Sequence, residues 1–84
     1  RMNNIEFAKQ IRKEGKLLFS VDFLDGIHWE YYLYYGSFFW VEVSNWQRDK
    51  NGTPITAEIP IEELLDDFAE YWNNEKVNLK LGCE

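Results

Sequence analysis

Residues 57–75 carry seven carboxylates, Glu58, Glu62, Glu63, Asp66, Asp67, Glu70 and Glu75, and no lysine or arginine. Five of them have helical spacing. Glu62, Asp66 and Glu70 fall four apart and Glu63 and Asp67 form a neighbouring row, so all five project from the side of a helix away from its apolar stripe. Like charges at i, i+4 cost roughly a few tenths of a kcal/mol per pair. The row is therefore not optimised for helix stability alone. It is either a solvated face, partly neutralised by Lys9, Arg12, Lys13 and Lys16 on a neighbouring helix, or a surface that draws in a basic partner.

Residue types suited to catalysis are sparse. His28 is the sole histidine, and strand pairing sets it opposite Asp22 and beside Glu42, where a carboxylate would orient the imidazole. Glu30 and Glu42 are the one pair that glycoside chemistry could use, but 84 residues leave little room for a deep cleft. No serine or cysteine is placed for activation, no glycine loop cradles phosphate, and no Cys/His set has zinc spacing. Cys83, the single cysteine, reads as a spectator and excludes an internal disulfide. The expectation is a protein that is not an enzyme and needs no cofactor or metal.

The other concentrated feature is aromatic. The stretch WEYYLYYGSFFWVEVSNW, residues 29–46, holds nine of the fifteen aromatic residues. Tyrosine and tryptophan combine an apolar body with a polar tip and are enriched at binding hot spots. They also pair well across strands, so burial competes with a partner surface as their explanation.

Bulk properties narrow the class. Eighty-four residues suit one domain, and 45% hydrophobic with 18% aromatic content argues against disorder despite 29% charged residues. A net charge of −6 opposes direct nucleic-acid binding, which needs cations to neutralise phosphate. No apolar run is long enough for a membrane helix, no signal-peptide pattern opens the chain, and the cysteine usage suits a reducing cytoplasm. Arg1 ahead of Met2 reads as an addition to the natural start.

The elements follow from periodicity. NNIEFAKQIRKEG predicts a helix capped by Asn3 or Asn4 and ended by Gly15 in a left-handed conformation. KLLFSVDFLDG alternates, with Leu17, Phe19, Val21 and Phe23 on one side. A three-residue loop, Leu24-Asp25-Gly26, sets Phe19 against Tyr31, Val21 against Trp29 and Phe23 against Ile27. A turn at Gly36-Ser37 then leads into a third strand whose Phe39, Val41 and Val43 continue that same face. Asn51-Gly52 is a hairpin signal leading into an edge strand, ITAEI. IPIEELLDDFAEYW predicts a helix with the stripe Ile61, Leu64, Leu65, Phe68 and Trp72, entered at Pro60 and stopped at Asn73-Asn74. VNLKL closes the chain as a short strand.

The expected fold is thus α+β, a three- to four-stranded antiparallel meander in the order α-β-β-β-(β)-α-β, with both amphipathic helices on one face. The reverse face would then expose Tyr32, Tyr34, Phe38, Trp40 and Trp46. This combination of small acidic domain, opening helix NNIEFAKQIRKEG, aromatic meander and late helix IEELLDDFAEYW resembles some small phage-encoded anti-CRISPR proteins. Those block an effector nuclease by covering its basic DNA-binding surface with acidic side chains. The resemblance lies in element order, size and charge. It implies a stoichiometric inhibitor whose partner is another protein with a basic nucleic-acid-binding surface. Attraction would come from Glu62, Glu63, Asp66, Asp67 and Glu70, and affinity from Tyr32, Tyr34, Trp40 and Trp46. Two other classes use the same rings: a carbohydrate- or small-ligand-binding module, in which they stack on a pyranose, and a homodimer joined through the aromatic face.

Overall fold

The computed structural model describes residues 4–44 and 55–82. Seven elements follow one another: α1 (Asn4–Glu14), β1 (Lys16–Phe23), β2 (His28–Tyr34), β3 (Ser37–Glu42), β4 (Thr56–Ile59), α2 (Ile61–Trp72) and β5 (Val77–Leu81). The strands form one antiparallel sheet in the order β4-β3-β2-β1-β5. The α+β class and the element order are those the periodicity predicts, and the last strand joins the sheet beside the first. Trp46, the Asn51-Gly52 turn and Cys83 lie outside the described residues.

The first hairpin obeys its turn chemistry. Gly26 has φ +88°, a left-handed conformation open to glycine at no steric cost. Phe19 pairs with Tyr31 and Val21 with Trp29, and the Phe23 amide donates to the Ile27 carbonyl at 2.8 Å. One irregularity intervenes. Leu17 pairs with Tyr32 while Phe19 pairs with Tyr31, so Leu18 is an extra, bulged residue. Leu17 consequently packs with Tyr32 on one face, whereas Leu18 joins Phe19 on the other.

The second hairpin departs from expectation by one residue, with large effect. Its turn is Tyr35-Gly36, with φ 49° and 76°, and Tyr34 pairs with Ser37. Positive φ at both central residues gives the strand twist that a tight hairpin needs. A two-residue loop between Tyr34 and Ser37 pairs even positions of β2 with odd positions of β3, so the faces of β3 are exchanged relative to the expected alternation. Phe39 and Val41 therefore lie with Tyr32 and Glu30, and Phe38 and Trp40 with Leu33 and Tyr31.

This shift corrects the expected layering. The two helices cover opposite faces, each enclosing its own half-core. Under α1, Ala8 and Ile11 pack on Tyr32, Tyr34, Phe39 and Val41. Phe7 meets Tyr34 and Phe39 edge-on, at centroid separations of 6.1 and 5.4 Å. Under α2, Leu64 packs on Phe19, Val21, Tyr31 and Ile59. Here Tyr31 stacks on Phe19 at 4.3 Å and Trp29 on Trp40 at 5.4 Å. The aromatic density of residues 29–46 is thus explained by a sheet that must fill a hydrophobic layer on both sides. Each such ring pair adds roughly 0.5–1.5 kcal/mol beyond its burial.

Two details of α1 also differ from the sequence reading. Asn4 binds β4: its Oδ1 accepts from the Ile55 and Thr56 amides at 2.6 and 3.2 Å, and its Nδ2 donates to the Thr56 carbonyl at 3.2 Å. Gly15 ends the helix without a positive φ, since only Gly26 and Gly36 are left-handed among the described glycines. What Gly15 supplies is space, because a Cβ there would stand 2.6 Å from the Ile11 carbonyl oxygen.

Candidate functional site

α2 starts at Pro60, whose φ of −70° and ψ of 159° keep it extended while its carbonyl accepts from the Glu63 and Leu64 amides, both at 3.1 Å. Glu62 and Glu63 occupy the first turn, where the unpaired amides favour negative charge. At the far end, Asn73 Nδ2 donates to the Ala69 carbonyl at 3.0 Å and the Asn74 amide to that of Tyr71 at 3.3 Å. Both expected boundaries are the observed ones.

The orientation of the helix is not the expected one. Leu64, Asp67, Phe68 and Tyr71 face the sheet, at i, i+3, i+4 and i+7. Asp67 is therefore corrected from an outward to an inward carboxylate, accepting a hydrogen bond from the Tyr31 hydroxyl at 2.8 Å. Burial, reinforced by Asp67, pushes the Tyr31 phenol well above its ordinary range. Tyr71 is raised by burial and then by the charges of Asp67 and Glu70.

Turning Asp67 inward turns part of the apolar stripe outward. Ile61, Leu65 and Trp72 are 49, 58 and 61% exposed, and Leu64 is the one fully buried side chain of the helix. With half-buried Phe68 between them, their spacing of four, three and four makes a continuous seam, and Trp72 stacks on Phe68 at 5.6 Å. Beside this seam, a groove of about 280 Å³ opens between α2 and β1, lined by Leu18, Phe19, Leu64, Leu65 and Phe68. Glu62, Glu63, Asp66 and Glu70 are exposed on the same helix.

The cations of α1 do not neutralise these acids. Lys9, Arg12 and Lys13 lie across the sheet, on the helix of the opposite face. Arg12 pairs instead with Glu30, its Nε and Nη2 donating at 2.7 and 3.3 Å. The Tyr32 hydroxyl donates to the same carboxylate at 2.9 Å, and His28 Nε2 lies 3.3 Å from it. Burial pushes the Glu30 carboxyl up, but hydrogen bonds from Arg12 and Tyr32 outweigh it and leave the group below the usual carboxylate range. The Tyr32 phenol is pushed up to about 12, by burial first and then by Glu30.

His28 Nδ1 contacts Asp22, the cross-strand neighbour assigned to it from sequence. Glu42, expected beside His28, pairs with Trp29 and so lies on the opposite face from Glu30. The two cannot act as paired carboxylates. The Asp22–His28–Glu30–Arg12 chain contains no serine, threonine or cysteine nucleophile and works as an internal tie between α1 and the sheet. Among the described residues, no group of three or more His, Cys, Asp or Glu side chains could hold a metal ion, and no helix is long and apolar enough to cross a membrane.

The rings expected on an open reverse face are mostly covered. Tyr32 and Tyr34 are 5 and 8% exposed beneath α1, and Tyr34 accepts a hydrogen bond from Gln10 Nε2 at 2.8 Å. Trp40 is half-buried against Trp29 on the α2 side. The residues that sequence reasoning did not place on a surface are Ile61, Leu65 and Trp72. Spacing gave no signal for them: Leu64 and Leu65 stand about 100° apart around a helix, the same angle as Asp67 and Phe68, which both face the sheet.

Comparison with protein-family models, curated proteins and solved structures gives no match to this chain. The site is therefore read from its own geometry, which defines a helix flank combining exposed apolar side chains with exposed carboxylates.

Proposed function

We propose that the protein is a non-catalytic binding module that occupies a basic surface of another protein, acting as a stoichiometric inhibitor of a nucleic-acid-handling partner. One observation carries this reading. The seam Ile61, Leu65 and Trp72 is exposed on a helix flanked by Glu62, Asp66 and Glu70, with every lysine and arginine of α1 on the other face of the sheet. Exposed apolar area supplies affinity, and the acidic rim selects a basic partner and accelerates encounter. The mode of action matches what a resemblance to anti-CRISPR proteins implies, but the contact surface is the flank of α2, because Tyr32 and Tyr34 belong to the core. Burial takes these two rings out of the platform on which a sugar or a second copy was expected to stack.

The test is affinity capture with the wild-type protein and with Asp66→Lys/Glu70→Lys and Leu65→Ser as separate baits, at low and high salt. A basic protein retained by the wild type, lost by both variants and released by salt supports the reading, provided that one equivalent also blocks its nucleic-acid binding. A partner held equally by all three baits, or one still binding nucleic acid when saturated, overturns it.

A further inference from the structure

One helix is too narrow to roof five strands. Strands lie about 4.8 Å apart and a helix with its side chains is about 10–12 Å across, so α2 covers roughly half of its sheet face. It runs along β1: Leu65 and Phe68 meet Leu18 and Phe19 near one end, and Tyr71 meets Phe23 at the other, with ring centroids 5.5 Å apart. Asp67 points toward Tyr31 on β2. The opposite flank, with Leu65 and Trp72, therefore faces β5, the edge strand beyond β1, while Ile61, two residues after β4, begins the helix toward the other edge.

Beneath this flank β5 is apolar. Val77, Leu79 and Leu81 are the cross-strand partners of Phe23, Val21 and Phe19 and so point to the α2 side. Leu65, Trp72 and Leu81 are all more than half exposed. Flank and strand together form a notch with an apolar wall and an apolar floor. On the other face of the same two strands the residues are Asn78 and Lys80, paired with Asp22 and Ser20. One uncovered half-face thus has the polar composition of a solvated surface, and the other has the composition of an unfinished layer.

Resting on the reading of α2 as the partner-facing helix, we propose that this notch receives one amphipathic, basic helix of the partner protein. It lies along β5 beside α2, with apolar side chains at i, i+3 or i+4, and i+7 against the seam and Lys or Arg toward Glu62 and Asp66. Length fits: Leu65 to Trp72 spans about 10 Å, or two turns, beside the five residues of β5. The groove, at about 280 Å³, sits at the small end of the roughly 300–1,000 Å³ of small-molecule pockets and suits an anchoring side chain better than a whole ligand. A second copy is a poor occupant. Its α2 would bring carboxylates against carboxylates, and the exposed positions of its α1 are Glu6, Lys9, Arg12, Lys13 and Glu14, with no large apolar side chain.

The experiment uses a synthetic helical peptide of about four turns, leucine at the i, i+3/i+4, i+7 positions and lysine elsewhere, titrated against tryptophan fluorescence. Controls are a scrambled peptide of identical composition and one with glutamate replacing lysine. Expected is one-to-one binding of the amphipathic basic peptide, at least tenfold weaker for the scrambled and acidic peptides, and at least tenfold weaker for Leu65→Ser, an exposed position whose change leaves the fold intact by circular dichroism. Equal binding of scrambled and amphipathic peptides overturns the helix assignment while leaving an acidic docking surface standing. No binding of either basic peptide overturns the helix assignment, and the capture experiment above separately decides the fate of the broader reading. Sedimentation showing a dimer that Leu65→Ser dissolves assigns the notch to a second copy and overturns the proposal.

Discussion

The Tyr31 hydroxyl donates to the Asp67 carboxylate across 2.8 Å, tying the centre of β2 to the one inward acid of α2. Asp66 and Asp67 are neighbours in sequence with opposite duties, and their variants should separate. Asp67→Ala is expected to lower stability by about 1.5–3 kcal/mol, the range for hydrogen bonds to charged groups. Asp66→Ala should change it by less than about 0.5 kcal/mol. Urea denaturation of the two variants provides the comparison, and equal effects would contradict the orientation of α2.

Arg12 and Glu30 form a second tie, with Glu30 buried beneath α1. Arg12→Met leaves a buried carboxylate without its main partner and should cost about 1–3 kcal/mol near neutral pH, since Arg12 itself is partly exposed and Tyr32 stays on Glu30. Adding Glu30→Gln should restore part of that loss. The Glu30 carboxyl is held below its ordinary range, so its contribution to stability is complete above the unfolded value of roughly 4.3 and declines as pH falls through the lower folded value. Acid titration of folding should show this decline in the wild type and not in Glu30→Gln.

The phenols predict the alkaline limb. Tyr31, Tyr32 and Tyr71 are all raised in the folded protein, Tyr32 to about 12. The unfolded chain releases these protons from roughly pH 10, so stability is complete below that pH and is lost as pH rises toward the folded values. Tyrosinate absorbance should therefore lag in the folded protein and appear together with unfolding. Early titration of Tyr31, Tyr32 and Tyr71 without unfolding would contradict the burial of the two half-cores.

Gly36, with φ +76° and nothing within 4 Å of where a Cβ would stand, isolates backbone strain from collision. Gly36→Ala should cost about 1–2 kcal/mol, and Gly36→Asn clearly less because asparagine tolerates this conformation. Thermal denaturation of the pair tests the Tyr35-Gly36 turn. A Gly-to-Ala change without effect would place the turn elsewhere.

Much of the fold could be read from the chain. Asp25-Gly26 with its flanking alternation specified the first hairpin from Phe19 to Tyr31, though not the bulge at Leu18 that turns Leu17 to the other face, and the apolar spacing of Ile61 to Trp72 specified α2. The third strand could not be phased, because Tyr35 adopts a conformation uncommon for tyrosine and so gives no turn signal. That turn decided which rings of β3 lie beneath which helix; Tyr32 and Tyr34 kept their expected face of β2 and are core because α1 packs on it. The acidic flank was legible as charge spacing. Its apolar companion was not, since periodicity gives the angle between Leu64 and Leu65 but not which of them the sheet receives.

Placing the cations of α1 and the carboxylates of α2 on opposite faces of the sheet gives the described residues a charge asymmetry along the sheet normal. A positively charged partner would exert a torque on it at a distance of about one Debye length, roughly 8–10 Å in physiological salt. The protein would rotate α2 forward before any side chain touches, so its angle of arrival is chosen by the layering of the fold and not by trial collisions.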